Sequence, residues 1–201
     1  DSAFTDNGAE GDPWSLSTAE GGAIHARGAD VVIERSTFTG NRAGDGFTDR
    51  GAALYAAQST VSISDSTFSG NLTPAPLFSV DSAVNLRRVT MVESALALGV
   101  GITATGSVFS SPGADCGTGF VSGGFNVFSD ASCGAVGTDV VTAAATLGPL
   151  ASNGGPTLTH LPILGSPVVD SIPVGTAGLC DASAPVDQRG VARPQGSACD
   201  R

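Results

Sequence analysis

The sequence predicts an all-β fold, a right-handed, single-stranded parallel β-helix with an irregular, disulfide-stabilised C-terminal cap. Three observations predict it. Phe-Thr-Asp-Asn at 4–7, Phe-Thr-Gly-Asn at 38–41 and Phe-Ser-Gly-Asn at 68–71 are near copies of one another. Within each copy apolar and polar residues alternate, as in a half-buried strand. With 28 glycines and 11 prolines, no window keeps an apolar face at helical spacing for three turns. Self-similarity at a fixed period marks stacked units that cannot each bury an apolar face alone.

The copies define the elements in order. Val31 superimposes on Val61, Ile33 on Ile63, Phe38 on Phe68 and Asn41 on Asn71, and Gly-Gly-Ala-Ile at 21–24 matches Gly-Ala-Ala-Leu at 51–54. A third copy runs through Val84, Leu86 and Met91, with Ser94 at the Asn position. A fourth runs through Ile102, Ala104 and Phe109, with Pro112 there. The step from Phe4 to Phe38, Phe68, Met91 and Phe109 shrinks along the chain, so strands are kept while loops shorten. Each copy has room for about three short strands, one coil of a solenoid, and successive coils stack roughly 4.8 Å apart. About four to five coils are expected over residues 1–141, followed by a C-terminal segment over 142–201. Asp1 lies inside a repeat, so further coils are expected upstream.

Phe38 and Phe68 are expected to stack in the interior, and Asn41 and Asn71 to form an amide ladder. Asn also tolerates positive φ at a tight corner. These four residues are read as scaffold.

Composition narrows the function. Net charge is −10, and the nine basic residues are all arginine. No basic patch is available for phosphates, so nucleic acid is not an expected partner. No apolar run is long enough to span a bilayer. Cys116, Cys133, Cys180 and Cys199 allow three pairings. The economical one joins Cys116 to Cys133 and Cys180 to Cys199, each closing a short loop worth roughly 3 kcal/mol. A four-cysteine zinc site is the alternative, but neither pair has zinc-ligand spacing. Disulfides with an acidic, glycine-rich composition point to an extracellular or cell-surface setting.

Past Thr142 the repeat gives way to Leu147-Gly-Pro-Leu, Asn153-Gly-Gly-Pro-Thr-Leu-Thr-His160, Ser166-Pro-Val-Val-Asp170 and Asp187-Gln-Arg-Gly-Val-Ala-Arg-Pro194. This stretch resembles the choice-of-anchor Q segment of bacterial surface proteins. The upstream Gly-Gly-Ala-Ile and Phe-x-x-Asn elements are similar to repeats of polymorphic outer-membrane proteins, which are β-helical adhesins. The resemblance implies a secreted or surface-anchored β-helix and no particular reaction. Within it Asp170, Asp187, Arg189 and Arg193 are read as a charge network tying the C-terminal segment to the last coil.

Parallel β-helices of the pectate-lyase kind include polysaccharide lyases, whose chemistry needs an arginine base beside acidic calcium ligands. Arg35, Asp65 and Arg88 fall at equivalent positions and are expected along one outer face, where their alternating signs suit stacked ion pairs at least as well. No paired acids suit a glycosidase. His25 and His160 are the only histidines, and neither has a nucleophile motif beside it. Trp14 and Tyr55 are the only large amphipathic aromatics. No metal and no cofactor are expected; Asp45 and Asp49 are the nearest calcium candidates, at neither EF-hand nor nonapeptide spacing. The expected function is structural or adhesive without catalysis, by self-association or a surface glycan or protein ligand. A polysaccharide-binding or lyase-like protein is the alternative.

Overall fold

The structure, a computed structural model, describes residues 1–10, 18–44, 49–72, 75–92, 101–143 and 147–201. Trp14, Asp45 and Ser94 lie outside these residues, with the tips of the 8–20 and 42–50 loops. Every strand-to-strand ladder is parallel. The longest path stacks Ala3–Thr5, Thr37–Thr39, Thr60–Ser69, Ala83–Val92, Val108–Ser110, Val127–Phe128 and Val140–Val141, here numbered as rungs one to seven. Asp30–Glu34, Ile102–Thr105 and Phe120–Ser122 extend the same sheet around the coil, and Ile24–Arg27, Leu54–Ala57 and Leu77–Val80 form a second sheet. This is a β-solenoid architecture.

The register follows from the repeat. Phe4 pairs with Phe38, Phe38 with Phe68, Phe68 with Met91, Met91 with Phe109 and Phe109 with Phe128. Phe38 lies flat against Phe4 and Phe68, with centroids 4.5 and 4.6 Å apart. Val61, Val84 and Ile102 make a second buried column, and Ile63, Leu86 and Ala104 a third. Seven rungs stand where four to five coils were expected. The extra ones are strands of two residues at Val127–Phe128 and Val140–Val141, too short to show a period.

The asparagines form the expected ladder, with one correction. Asn7 Nδ2 donates to Asn41 Oδ1 at 2.9 Å, and Asn41 Nδ2 to Asn71 Oδ1 at 2.8 Å. The left-handed residues are the preceding ones, Asp6 at φ 52°, Gly40 at φ 66° and Gly70 at φ 60°, not the asparagines. Glycine, or a short polar residue such as Asp, takes that conformation most readily, which leaves the Asn amides free to bond between layers. A second ladder runs along the next corner. Ser36 and Ser107 hydroxyls accept the Ser2 and Val89 backbone N–H groups, and Ser66 accepts that of Ser36. Each of these hydroxyls also donates to the carbonyl two residues back.

The C-terminal segment is held by antiparallel bridges such as Ala151 with Thr159 and Ile172 with Cys199. It does not lie over the end of the stack as a cap. It runs as a strap along one flank. Val168 packs on Val108 and Val127, beside Val140. Farther along the stack Thr157 Oγ1 donates to Arg35 O, and Thr37 Oγ1 to Leu158 O. The flank supplies both an apolar stripe and open backbone acceptors, whereas the last rung leaves Val141 48% exposed. Burying the stripe and pairing those acceptors favours the flank.

Candidate functional site

Arg35, Asp65 and Arg88 occupy one corner column, all left-handed, with φ of 47°, 47° and 56°. Two of the three stack as an ion pair. Arg88 Nε and Nη2 reach the two Asp65 carboxylate oxygens at 2.7 Å each, and the side chains are only 9% and 12% exposed. Arg88 Nη1 donates to the Gly178 carbonyl of the strap. Arg35 is separate, pairing with Asp1 at 2.7 Å. At rung five the same corner is Gly106, φ 62°, where a Cβ would meet Leu179 Cδ2 at 2.8 Å. The strap therefore covers the corner, by the Arg88–Gly178 hydrogen bond on rung four and by apolar contact on rung five.

Asp170, Asp187, Arg189 and Arg193 do not converge on one network. Asp187 Oδ2 accepts Arg189 Nε and Nη2 at 2.8 and 2.6 Å, while its Oδ1 caps the Arg189 and Val191 N–H groups. Asp170 Oδ1 accepts the Ala198 N–H at 3.0 Å. Arg193 Nη2 donates to the carbonyls of Leu179 and Asp200, and burial holds its pKa below the ordinary arginine value. Asp187 and Arg189 close one turn together, while Asp170 and Arg193 each tie a different part of the segment.

Sequence reasoning missed the residue that joins strap to coil. Gln188 is buried between them. Its Oε1 accepts the Thr67 hydroxyl at 2.7 Å, and its Nε2 reaches Thr157 Oγ1 at 3.0 Å and Thr37 Oγ1 at 3.1 Å. The signal was its place between Asp187 and Arg189. Gln188→Leu leaves these groups buried and unpaired, and an expected loss of about 1–3 kcal/mol follows. Urea unfolding measures that loss, and hydrogen exchange at Leu158–His160 reports whether the strap lifts first.

The cysteines pair as Cys116 with Cys133 and Cys180 with Cys199, with Cα–Cα distances of 5.0 and 5.7 Å. Asp115, Asp130 and Cys133 lie together with metal-like spacing. Their chemistry does not fit a metal. Cys133 is oxidised, and Asp115 accepts the backbone N–H groups of Ser111, Ser129 and Asp130. The Ser132 hydroxyl and N–H hold the Asp130 carboxyl below its usual pKa. Of the calcium candidates, the described one is Asp49, which is buried and caps the Ala19 N–H at 2.8 Å. His160 Nδ1 bonds the Gly148 carbonyl at 2.7 Å, so that nitrogen carries a proton, and Nε2 meets the Ser69 hydroxyl at 3.0 Å. His25 stands on the second sheet beside Tyr55, at 5.0 Å between ring centroids. Tyr55 is buried, and that burial and Glu20 raise its pKa.

Between flank and strap lies a cleft of about 110 Å³, lined by Asp65, Arg88 and Thr90 on the coil side and by Asp187, Arg189, Arg193, Asp200 and Arg201 on the strap side. Arg201 reaches the Asn126 and Thr138 carbonyls, at 3.1 and 3.0 Å, and burial lowers its pKa as well. This cleft is the candidate site. No family model matches the chain, and no curated protein or solved structure shows significant similarity to it.

Proposed function

We propose that the chain is a non-catalytic structural or adhesive module, exported to a bacterial cell surface or extracellular assembly. The observation that carries this reading is how the repeat employs its polar side chains. The Asn and Ser ladders bond the next layer, and Arg88 is locked on Asp65 rather than held free as a base. In this reading the coil is right-handed and pectate-lyase-like. Residues 1–141 are the coils, and residues 142–201 are a strap of choice-of-anchor Q type. Stacked parallel strands and two disulfides suit a rigid spacer outside the cell. Among the described residues no helix is long and apolar enough to cross a membrane.

Incubation with pectate, alginate and glycosaminoglycans, followed by absorbance of unsaturated products, tests the reading. No product is expected, with or without calcium. A calcium-dependent rise that disappears in Arg88→Ala sinks the structural reading and favours a lyase. Self-association is read by sedimentation: a species that grows with concentration is expected if modules stack head to tail.

A further inference from the structure

We propose that the cleft between flank and strap binds a single oxyanionic group: a carboxylate, sulfate or phosphate. Four arginines line it against three aspartates. Two of those aspartates are already neutralised, Asp65 by Arg88 and Asp187 by Arg189. The Asp200 carboxylate accepts the Asp170 N–H at 2.8 Å. That N–H does not neutralise Asp200, whose charge partly offsets those of Arg193 and Arg201. Among the described residues neither has an ion-pair partner, and their bonds go to backbone carbonyls that orient a guanidinium without cancelling it.

The unused donors are specific. Arg193 Nε and Arg201 Nε are buried and bond no group among the described residues. Buried donors without a protein partner are rare, and such groups are ordinarily satisfied by an ion or a water. Arg193 Nη1, Arg189 Nη1 and the Thr90 hydroxyl bond no group among the described residues, and all three residues line the cleft. Guanidinium donors held in a fixed plane match the oxygens of a carboxylate or sulfate. The volume of about 110 Å³ is ample for such a group and far below the roughly 300–1,000 Å³ of sites that enclose whole drug-sized ligands. A chain ligand would insert only its anionic substituent.

A purely structural role for these arginines accounts for their carbonyl bonds but not for the unpartnered donors on the same residues. The inference stands independently of the adhesive reading, since the site would serve a module of either kind. The test is calorimetric titration of the whole chain with sodium sulfate, sodium phosphate and galacturonate, at constant ionic strength made up with chloride. Saturable one-to-one binding of at least one of them is expected. Arg193→Met is expected to weaken it by about tenfold or more, the loss of one charge-assisted hydrogen bond. Because Arg193 also ties two carbonyls, Arg189→Met serves as the second variant, with circular dichroism to establish that each is folded. Tighter binding of galacturonate assigns the site to an acidic glycan; tighter binding of sulfate or phosphate assigns it to a free anion. No saturation by any of the three, or unchanged affinity in both folded variants, overturns the proposal.

Discussion

Replacing Phe68 by alanine is expected to lower the unfolding free energy by about 3–5 kcal/mol, the range for truncating a fully buried aromatic. Phe68 has no exposed surface and sits mid-stack, flat on Phe38 at 4.6 Å and in register with Met91. Coils contact mainly their neighbours, so a void there weakens two interfaces at once. The narrow interior has little freedom to collapse around it, because the backbone spacing is fixed by ladder hydrogen bonds. Urea titration followed by circular dichroism measures the shift, with Ser62→Ala on the exposed face as a control expected to stay within about 0.5 kcal/mol. A loss under about 1 kcal/mol at Phe68 contradicts the close stacking.

The second large effect is expected at the corner ion pair. Arg88→Met removes the partner of a carboxylate that is 12% exposed and strands the Gly178 carbonyl of the strap. Breaking one side of a buried pair costs about 3–5 kcal/mol, because an uncompensated charge stays behind. Combining Arg88→Met with Asp65→Asn is expected to recover part of that loss, since the charge is then gone and asparagine tolerates the φ of 47° at this position. The cycle separates the pair's contribution from the penalty of an orphaned charge. Additive losses in the double variant contradict the assigned coupling.

The coil was legible because each rung places the same residue types at the same depth. Phe38 and Phe68, or Val31 and Val61, are equivalent in sequence because they are equivalent in space. The path of the strap was not legible. Its ties run largely to main-chain oxygens, from Arg88 to Gly178, from Thr157 to Arg35 and from Arg193 to Leu179. A backbone acceptor leaves no mark on residue identity. For the same reason Asp170, Asp187, Arg189 and Arg193 looked like one network, when Asp187 and Arg189 pair with each other and Asp170 and Arg193 bond backbone groups elsewhere. The late rungs at Val127–Phe128 and Val140–Val141 carry too few residues for a period to appear. The cleft escaped notice because it joins Thr90 to Arg193 and Arg201, residues from unrelated parts of the chain.

Proton NMR of the aromatic rings tests the stacked arrangement most directly. With centroids 4.5 and 4.6 Å away on its two faces, the Phe38 ring is expected to give strong cross-relaxation to both Phe4 and Phe68 rings. Absence of those cross-peaks, or close Hα–Hα contacts between adjacent rungs of the kind antiparallel strands give, would contradict the parallel stack.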